Sequence, residues 1–215
     1  MARILITSGP TRQYLDPVRY LTNASSGRMG CALAEAVIRA GHEAVVVSGP
    51  VEIDYPAEAK VHSILSTEDL LEECLTLFPD CDGMFGVAAP CDYRPIKTAT
   101  QKLSKTGNGL AMQLIETPDV IAMLGSIKRH QWIVAFALET HDQRIRAMQK
   151  LERKNADLIV LNGPDSLDST QTRVEVINRQ GVVLSSLEGS KPEVAVELFD
   201  LVRRQFGPAF GQASA

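Results

Sequence analysis

Three clusters of residues in this chain suit the binding of a phosphorylated ligand, with further polar chemistry beside it. The first runs Thr7-Ser8-Gly9-Pro10-Thr11-Arg12, continues through Asp16-Pro17-Val18-Arg19-Tyr20-Leu21-Thr22-Asn23, and closes on Ser25-Ser26-Gly27-Arg28-Met29-Gly30. A buried strand enters this stretch and a helix leaves it. Free backbone N–H groups and the positive end of a helix dipole then face whatever anion lies above the turn. Gly9, Ser25, Ser26 and Gly27 are read accordingly as a phosphate-binding turn. The loop is too long for a bare dinucleotide turn, and Arg19 and Asn23 add a cation and a carboxamide that a structural turn does not need. The serines also suit a plain helix N-cap, and a capping hydroxyl can hold a phosphate oxygen as well.

The second cluster is Gly86-Val87-Ala88-Ala89-Pro90-Cys91-Asp92-Tyr93-Arg94, which leaves a buried strand and ends in polar residues. Small residues let a ligand come close to the backbone, and Asp92 can accept hydrogen bonds from a ribose or a base. The third is a set of lysines. Lys102 precedes a turn-forming Thr106-Gly107-Asn108-Gly109 stretch, and Lys150 and Lys154 stand one helical turn apart on one face. Together the three match the charge of a triphosphate. Each cluster has a plainer alternative: a surface arginine with a turn asparagine, an ordinary strand exit, and solvated lysines.

Several chemistries are disfavoured. Gly9, Gly27 and Gly30 do not have dinucleotide-fingerprint spacing, and Ser48-Gly49-Pro50 stands where an acidic residue would hold the ribose of NAD. No Gly-Lys-Ser/Thr follows the first loop and no nucleophile elbow is present. Cys31, Cys74, Cys81 and Cys91 lack CxxC spacing, and His42, His62, His130 and His141 lack ligand spacing. The cysteines read as free thiols in a reducing compartment and not as a zinc site. A net charge of −4 offers no footprint for nucleic acid. No apolar run approaches a membrane span, and the chain enters its first strand without a signal-peptide pattern. The expectation is a cytoplasmic protein with no nucleic-acid or membrane partner.

The elements that must position these clusters alternate. Strands are expected at residues 3–7, 44–47, 61–64, 83–88, 132–137 and 157–161, and a hairpin at 173–177 and 182–187. Helices are expected at 27–40, ended by Gly41, and from the Ser66/Asp69 capping box to residue 77. Further helices are a short one begun by Thr117-Pro118-Asp119 with Pro118 near its first turn, one at 141–154, and a last one opened by Ser190, Pro192 and Glu193. Residues 102–115 read as a two-stranded flap turning at Asn108-Gly109. The class is α/β: a Rossmann-like, doubly wound, mostly parallel sheet with a β-hairpin flap and a C-terminal β-hairpin. Ligands then belong at the carboxyl ends of the strands, in the loops after the strands at 3–7, 83–88 and 132–137. One domain is expected over residues 1–206, with 207–215 as a flexible tail.

Taken together the motifs resemble phosphopantothenoylcysteine synthetase, the synthetase half of the bacterial bifunctional coenzyme A biosynthesis protein family. The stretches above carry the resemblance, followed in family order by Lys102-Leu103-Ser104-Lys105, Thr117-Pro118-Asp119, Phe136-Ala137-Leu138-Glu139-Thr140 and Lys154-Asn155-Ala156-Asp157-Leu158-Ile159. It covers about residues 2–205. It implies a ligase that joins 4′-phosphopantothenate to L-cysteine with CTP through an acyl-cytidylate. Mg2+ would be carried by the triphosphate, with no metal ligands from the protein. The resemblance further implies a homodimer, and a separate flavin-dependent decarboxylase whose half is absent here, so that the chain is either a free-standing synthetase or an excised domain. By position, Gly86, Val87, Ala88 and Asp92 would line the nucleoside, with Pro118, Asp119, Val120, Ile121 and Phe136 completing its pocket. Lys102 would be the flap lysine of the activation step, Lys150 and Lys154 nucleotide-binding lysines, and Arg19 and Asn23 residues that convert the acyl-cytidylate. Departures from the family pattern are Ser104 within Lys-x-Lys-Lys, Cys91 in place of alanine, and Asn162-Gly163-Pro164-Asp165 in place of Asn-Asp-Val. An NAD(P)- or flavin-linked reductase on a Rossmann-like fold is the alternative from another class, and a nucleotide-binding module without turnover is a third.

Overall fold

A computed structural model of the chain describes residues 1–138, 143–162, 171–207 and 210. The elements in chain order begin with β1 (Arg3–Ser8), a small antiparallel pair β2 (Arg12–Tyr14) and β3 (Tyr20–Thr22), α1 (Arg28–Arg39), β4 (Glu43–Ser48), β5 (Lys60–Ser63) and α2 (Thr67–Leu77). They continue with β6 (Gly83–Gly86), β7 (Tyr93–Pro95), β8 (Leu114–Glu116), α3 (Val120–Ile127), β9 (Trp132–Leu138) and α4 (Gln143–Arg153). The last are β10 (Leu158–Asn162), β11 (Gln171–Asn178), β12 (Val183–Ser190) and α5 (Lys191–Gln205).

Eight strands form one sheet in the order β12-β11-β10-β9-β6-β1-β4-β5. Pairing is parallel from β5 to β10 and antiparallel from β10 through β12. Successive side chains of a strand point to opposite faces, and both faces here are covered. Ile4, Ile6, Phe85 and Val134 pack against Leu33 and Val37 of α1 and Leu198 and Phe199 of α5. Leu5, Val45, Met84 and Ile133 pack against Leu70 of α2, Leu124 of α3 and Leu151 of α4. This two-sided burial is why the strands read as unbroken apolar runs. Each fully buried large aliphatic side chain contributes about 1.5–3 kcal/mol. Among the described residues no helix is long and apolar enough to cross a membrane.

The capping boxes at Ser66/Asp69 and Ser190/Glu193 form as expected, and Gly41 takes a left-handed φ of 81° just past α1. Other expectations shift. The loop of residues 9–27 contains the β2–β3 pair, whose three-residue strands are too short to show alternation. Neither Ser25 nor Ser26 caps α1; Gly27 does, at φ 74°, with no side-chain cap bond. The flap strands are β7 and β8, with residues 96–113 between them, so its ladder lies mostly outside 102–115 and Asn108-Gly109 does not join paired strands. Asp119 caps α3 by accepting from Ala122 N–H at 3.2 Å, and Pro118 precedes the cap. The expected start of α4 at residues 141 and 142, Glu139-Thr140, Gly163-Pro164-Asp165 and most of the expected tail lie outside the described residues. Phe210 itself stacks on Trp132, ring centroids 5.6 Å apart.

Candidate functional site

The loop after β6 is fastened to β1, to the loop after it and to Thr117 by a series of hydrogen bonds, most of them from side chain to backbone. Thr7 Oγ1 accepts from Val87 N–H and Ala88 N–H, each at 3.2 Å, and the Gly9 carbonyl accepts from Ala89 N–H at 2.9 Å. Thr11 Oγ1 accepts from Cys91 N–H at 2.8 Å, and Thr117 Oγ1 donates to the Cys91 carbonyl at 2.7 Å. Asn23 Nδ2 crosses to the Pro90 carbonyl at 2.8 Å. Each bond satisfies a polar group near the core that would otherwise cost about 1–3 kcal/mol. The result is a rigid shelf at the carboxyl ends of β1 and β6.

The first turn of α1 is set against the same strand end. Ser8 Oγ donates to the Gly27 carbonyl at 3.2 Å and accepts from the Tyr55 hydroxyl at 2.8 Å. A Cβ on Gly30 would lie 2.2 Å from Ser8 Oγ. Only glycine at this position lets the helix begin so near the strand, which brings its free N–H groups to the shelf.

A cavity of about 530 Å³ opens above these parts. Of the residues expected from the sequence, Asn23, Ser25, Ser26, Gly27, Val87, Ala88, Asp92, Phe136 and Lys150 line it. Arg28, Met29, Asn162, Thr172 and Lys191, which sequence reasoning did not assign to the site, line it too. Arg28, Lys150 and Lys191 supply positive charge and Asp92 negative charge, so the wall suits an anion. Asn162 ends β10 beside β9, and the rule that ligands sit at strand carboxyl ends reaches it. Its Oδ1 is buried without a hydrogen-bond partner among the described residues. Thr172 and Lys191 come from the antiparallel strand and the last helix, where no local spacing announces a site.

Other expected residues stand elsewhere. Gly9 lies beneath the shelf, and the space above Gly86 is filled by Ile121, whose Cδ1 would be 2.4 Å from an added Cβ. Asp119, Val120 and Ile121 belong to α3 and its cap, not to the cavity wall, and Pro118 precedes them. Lys154 Nζ donates to Asp119 Oδ1 at 2.7 Å, and Arg153 reaches Asp119 Oδ2 at 3.3 Å. Burial pushes the Asp119 carboxyl up, but the Lys154 hydrogen bond and charge, the Ala122 N–H and Arg153 together hold it below the usual carboxylate range. Lys154 thus ties α4 to α3. Lys102 is exposed on the segment between β7 and β8, and Arg19 donates through Nη2 to the carbonyl of Leu103 beside it.

The reductase alternative is not favoured. At the end of β4, the Ser48 hydroxyl bonds the Tyr55 hydroxyl at 2.8 Å, and residues 48–50 carry no acid to receive a ribose.

Over residues 1–205 the chain matches the family described as DNA/pantothenate metabolism flavoprotein C-terminal domain. The coenzyme A biosynthesis bifunctional protein CoaBC of Haemophilus influenzae is 34% identical over 207 residues, which is 94% of this chain and 52% of that protein. The chain therefore spans about half the length of that relative. A crystal structure of the C-terminal domain of CoaBC has a TM-score of 0.81 at 33% identity and covers 96% of both chains. A Cab2 mutant in complex with phosphopantothenate-cysteine has a TM-score of 0.77 at 17% identity over 97% of this chain and 87% of that one, a likeness of fold alone. The chain belongs to the DNA/pantothenate metabolism flavoprotein C-terminal domain family, where the synthetase half of the bifunctional coenzyme A biosynthesis proteins that its motifs resemble is found.

Proposed function

We propose that this chain is a ligase of coenzyme A biosynthesis that joins 4′-phosphopantothenate to L-cysteine at the expense of CTP. The observation that carries the reading is the cavity where the start of α1, the shelf of residues 87–92 and the Lys150 side chain converge. The names of the relatives support it, since a bifunctional coenzyme A biosynthesis protein contains this domain.

In the proposed reaction a carboxylate oxygen of phosphopantothenate attacks the α-phosphorus of CTP. The bond to the bridging oxygen breaks, pyrophosphate leaves, and an acyl-cytidylate forms. The amine of cysteine then attacks the acyl carbon, CMP leaves, and the amine gives up a proton. The protein contributes position and charge more than covalent help. The N–H groups at the start of α1, with Ser25, Ser26 and Lys150, face the phosphates. Val87, Ala88, Asp92 and Phe136 hold the nucleoside. Lys102 neutralises charge developing at the α-phosphorus, and Asn23 and Arg19 serve the acyl-cytidylate. Magnesium would enter with the triphosphate, keeping several of its own waters, with no ligand required from the protein. The active form is a homodimer, and a separate flavin-dependent decarboxylase takes the product onward.

The test is pyrophosphate release from CTP with magnesium. Release that requires phosphopantothenate, followed by CMP release that requires cysteine, is expected. Tight NADPH binding with no response to CTP would overturn the reading.

A further inference from the structure

A buried carboxylate outside the cavity joins the two loops that carry Arg19 and Lys102. Asp16 has no solvent exposure. Its Oδ1 accepts from the backbone N–H groups of Val18 at 2.8 Å and Arg19 at 2.9 Å, which closes a local turn. Its Oδ2 accepts from the N–H of Leu103 at 3.1 Å, 87 residues away in sequence. Arg19 Nε lies 3.3 Å from the same Oδ2, and the Arg19 guanidinium donates through Nη2 to the Leu103 carbonyl. Leu103, the residue after Lys102, is thus held at both its N–H and its C=O by one loop. Two bonds run alongside: Thr98 Oγ1 donates to the Tyr14 carbonyl at 3.1 Å and Ala99 N–H to the Leu15 carbonyl at 2.9 Å.

A buried carboxylate is costly unless fully bonded. Burial pushes the Asp16 carboxyl up, yet the three backbone N–H groups and the Arg19 charge outweigh it and hold it below the usual range. One oxygen is sufficient for the local turn. The other accepts from the distant segment and also lies beside the Arg19 guanidinium.

We propose that Asp16 is a positioning residue that holds Lys102 and Arg19 in one register, so that a single joint serves both cations of the reaction. The inference rests on the function proposed above, which gives Lys102 to the activation step and Arg19 to the conversion of the acyl-cytidylate. Loss of Asp16 then reaches both half-reactions, whereas loss of Lys102 reaches the first.

The test uses Asp16→Asn. The amide keeps one oxygen for the local turn, and its NH2 cannot accept from Leu103. In the free protein, amide hydrogen exchange at residues 98–105 should accelerate about 10-fold or more, the scale of a lost bond to a charged group, with β1, β6 and β9 unchanged. In single-turnover assays, pyrophosphate formation and consumption of the intermediate should both slow about 10-fold. Leu103→Pro deletes the donor from the other side and should slow both steps in the same way. The double variant should be no slower than the worse single variant, because both remove one bond. Unchanged exchange at residues 98–105, additive losses in the double variant, or a Leu103→Pro defect confined to the first step would each overturn the proposal. If Asp16→Asn loosens the whole sheet, Leu103→Pro alone decides, by slowing both steps while β1 exchange stays unchanged or by failing to. A wild-type protein that protects residues 98–105 yet releases no pyrophosphate from CTP contradicts the proposed function and not the joint.

Discussion

Gly30→Ala probes the packing that sets the start of α1. The added Cβ would lie 2.2 Å from Ser8 Oγ and 2.6 Å from Ser8 Cβ. Ser8 cannot swing aside freely, because its hydroxyl bonds both the Gly27 carbonyl and the Tyr55 hydroxyl. Its backbone is fixed in β1 between β4 and β6. The helix must therefore ride up from the strand, and overpacking of this kind costs about 1–3 kcal/mol. For a chain of this size each kcal/mol lowers Tm by about 2–4 °C, so a fall of roughly 2–12 °C is expected. Urea unfolding followed by fluorescence of the single tryptophan, Trp132, which is 2% exposed, measures the loss. CTP binding should weaken in step, since the N–H groups move with the helix. Ser8→Gly removes both crowding atoms. Placed on Gly30→Ala it should recover about 1 kcal/mol relative to the sum of the two single losses. A Gly30→Ala protein within about 0.5 kcal/mol of the wild type, the range of neutral surface changes, would refute the packing argument.

Other outcomes follow from the same geometry. Asp119→Ala removes the α3 cap and the partner of Lys154, and should cost about 1–2 kcal/mol at neutral pH by chemical denaturation. Because the Asp119 carboxyl lies below its ordinary value of 3.8 in the folded state, its stabilisation is complete above that value and is lost as pH falls through the lower folded value. The gap between wild type and variant should accordingly narrow as the solution is made more acid, and a gap that does not narrow would contradict the assignment. Lys102→Ala should abolish pyrophosphate release with Tm unchanged, since the side chain is exposed; unchanged turnover would remove it from the mechanism. Asn23→Asp should slow conversion of the acyl-cytidylate more than its formation, and equal loss in single-turnover assays would undo that division.

The alternation of strands and helices was legible because both sheet faces are buried and the capping residues mark helix starts in plain sight. Ser66/Asp69 and Ser190/Glu193 are local signals, and local signals survive into the structure. The β2–β3 pair escaped because three residues are too few for a period, and the flap ladder because Tyr93–Pro95 pairs with Leu114–Glu116 across a long intervening segment. Asn23, Gly27, Asp92, Phe136 and Lys150, which line the cavity, could be picked out because each follows a strand end or lies on one helix face. Thr172 and Lys191 were not, since the antiparallel edge reaches the cavity only through tertiary packing. Lys154, placed beside Lys150 by helical spacing, is paired with Asp119 at the start of a neighbouring helix, a tertiary contact that spacing alone does not announce.

The most direct test of the account is a crystal structure of the protein soaked with CTP and magnesium. The account predicts the triphosphate against the first turn of α1, between Gly27 and Lys150, with the nucleoside on residues 87–92 and Phe136. A nucleotide bound at any other place, or that corner packed shut by side chains, would contradict it.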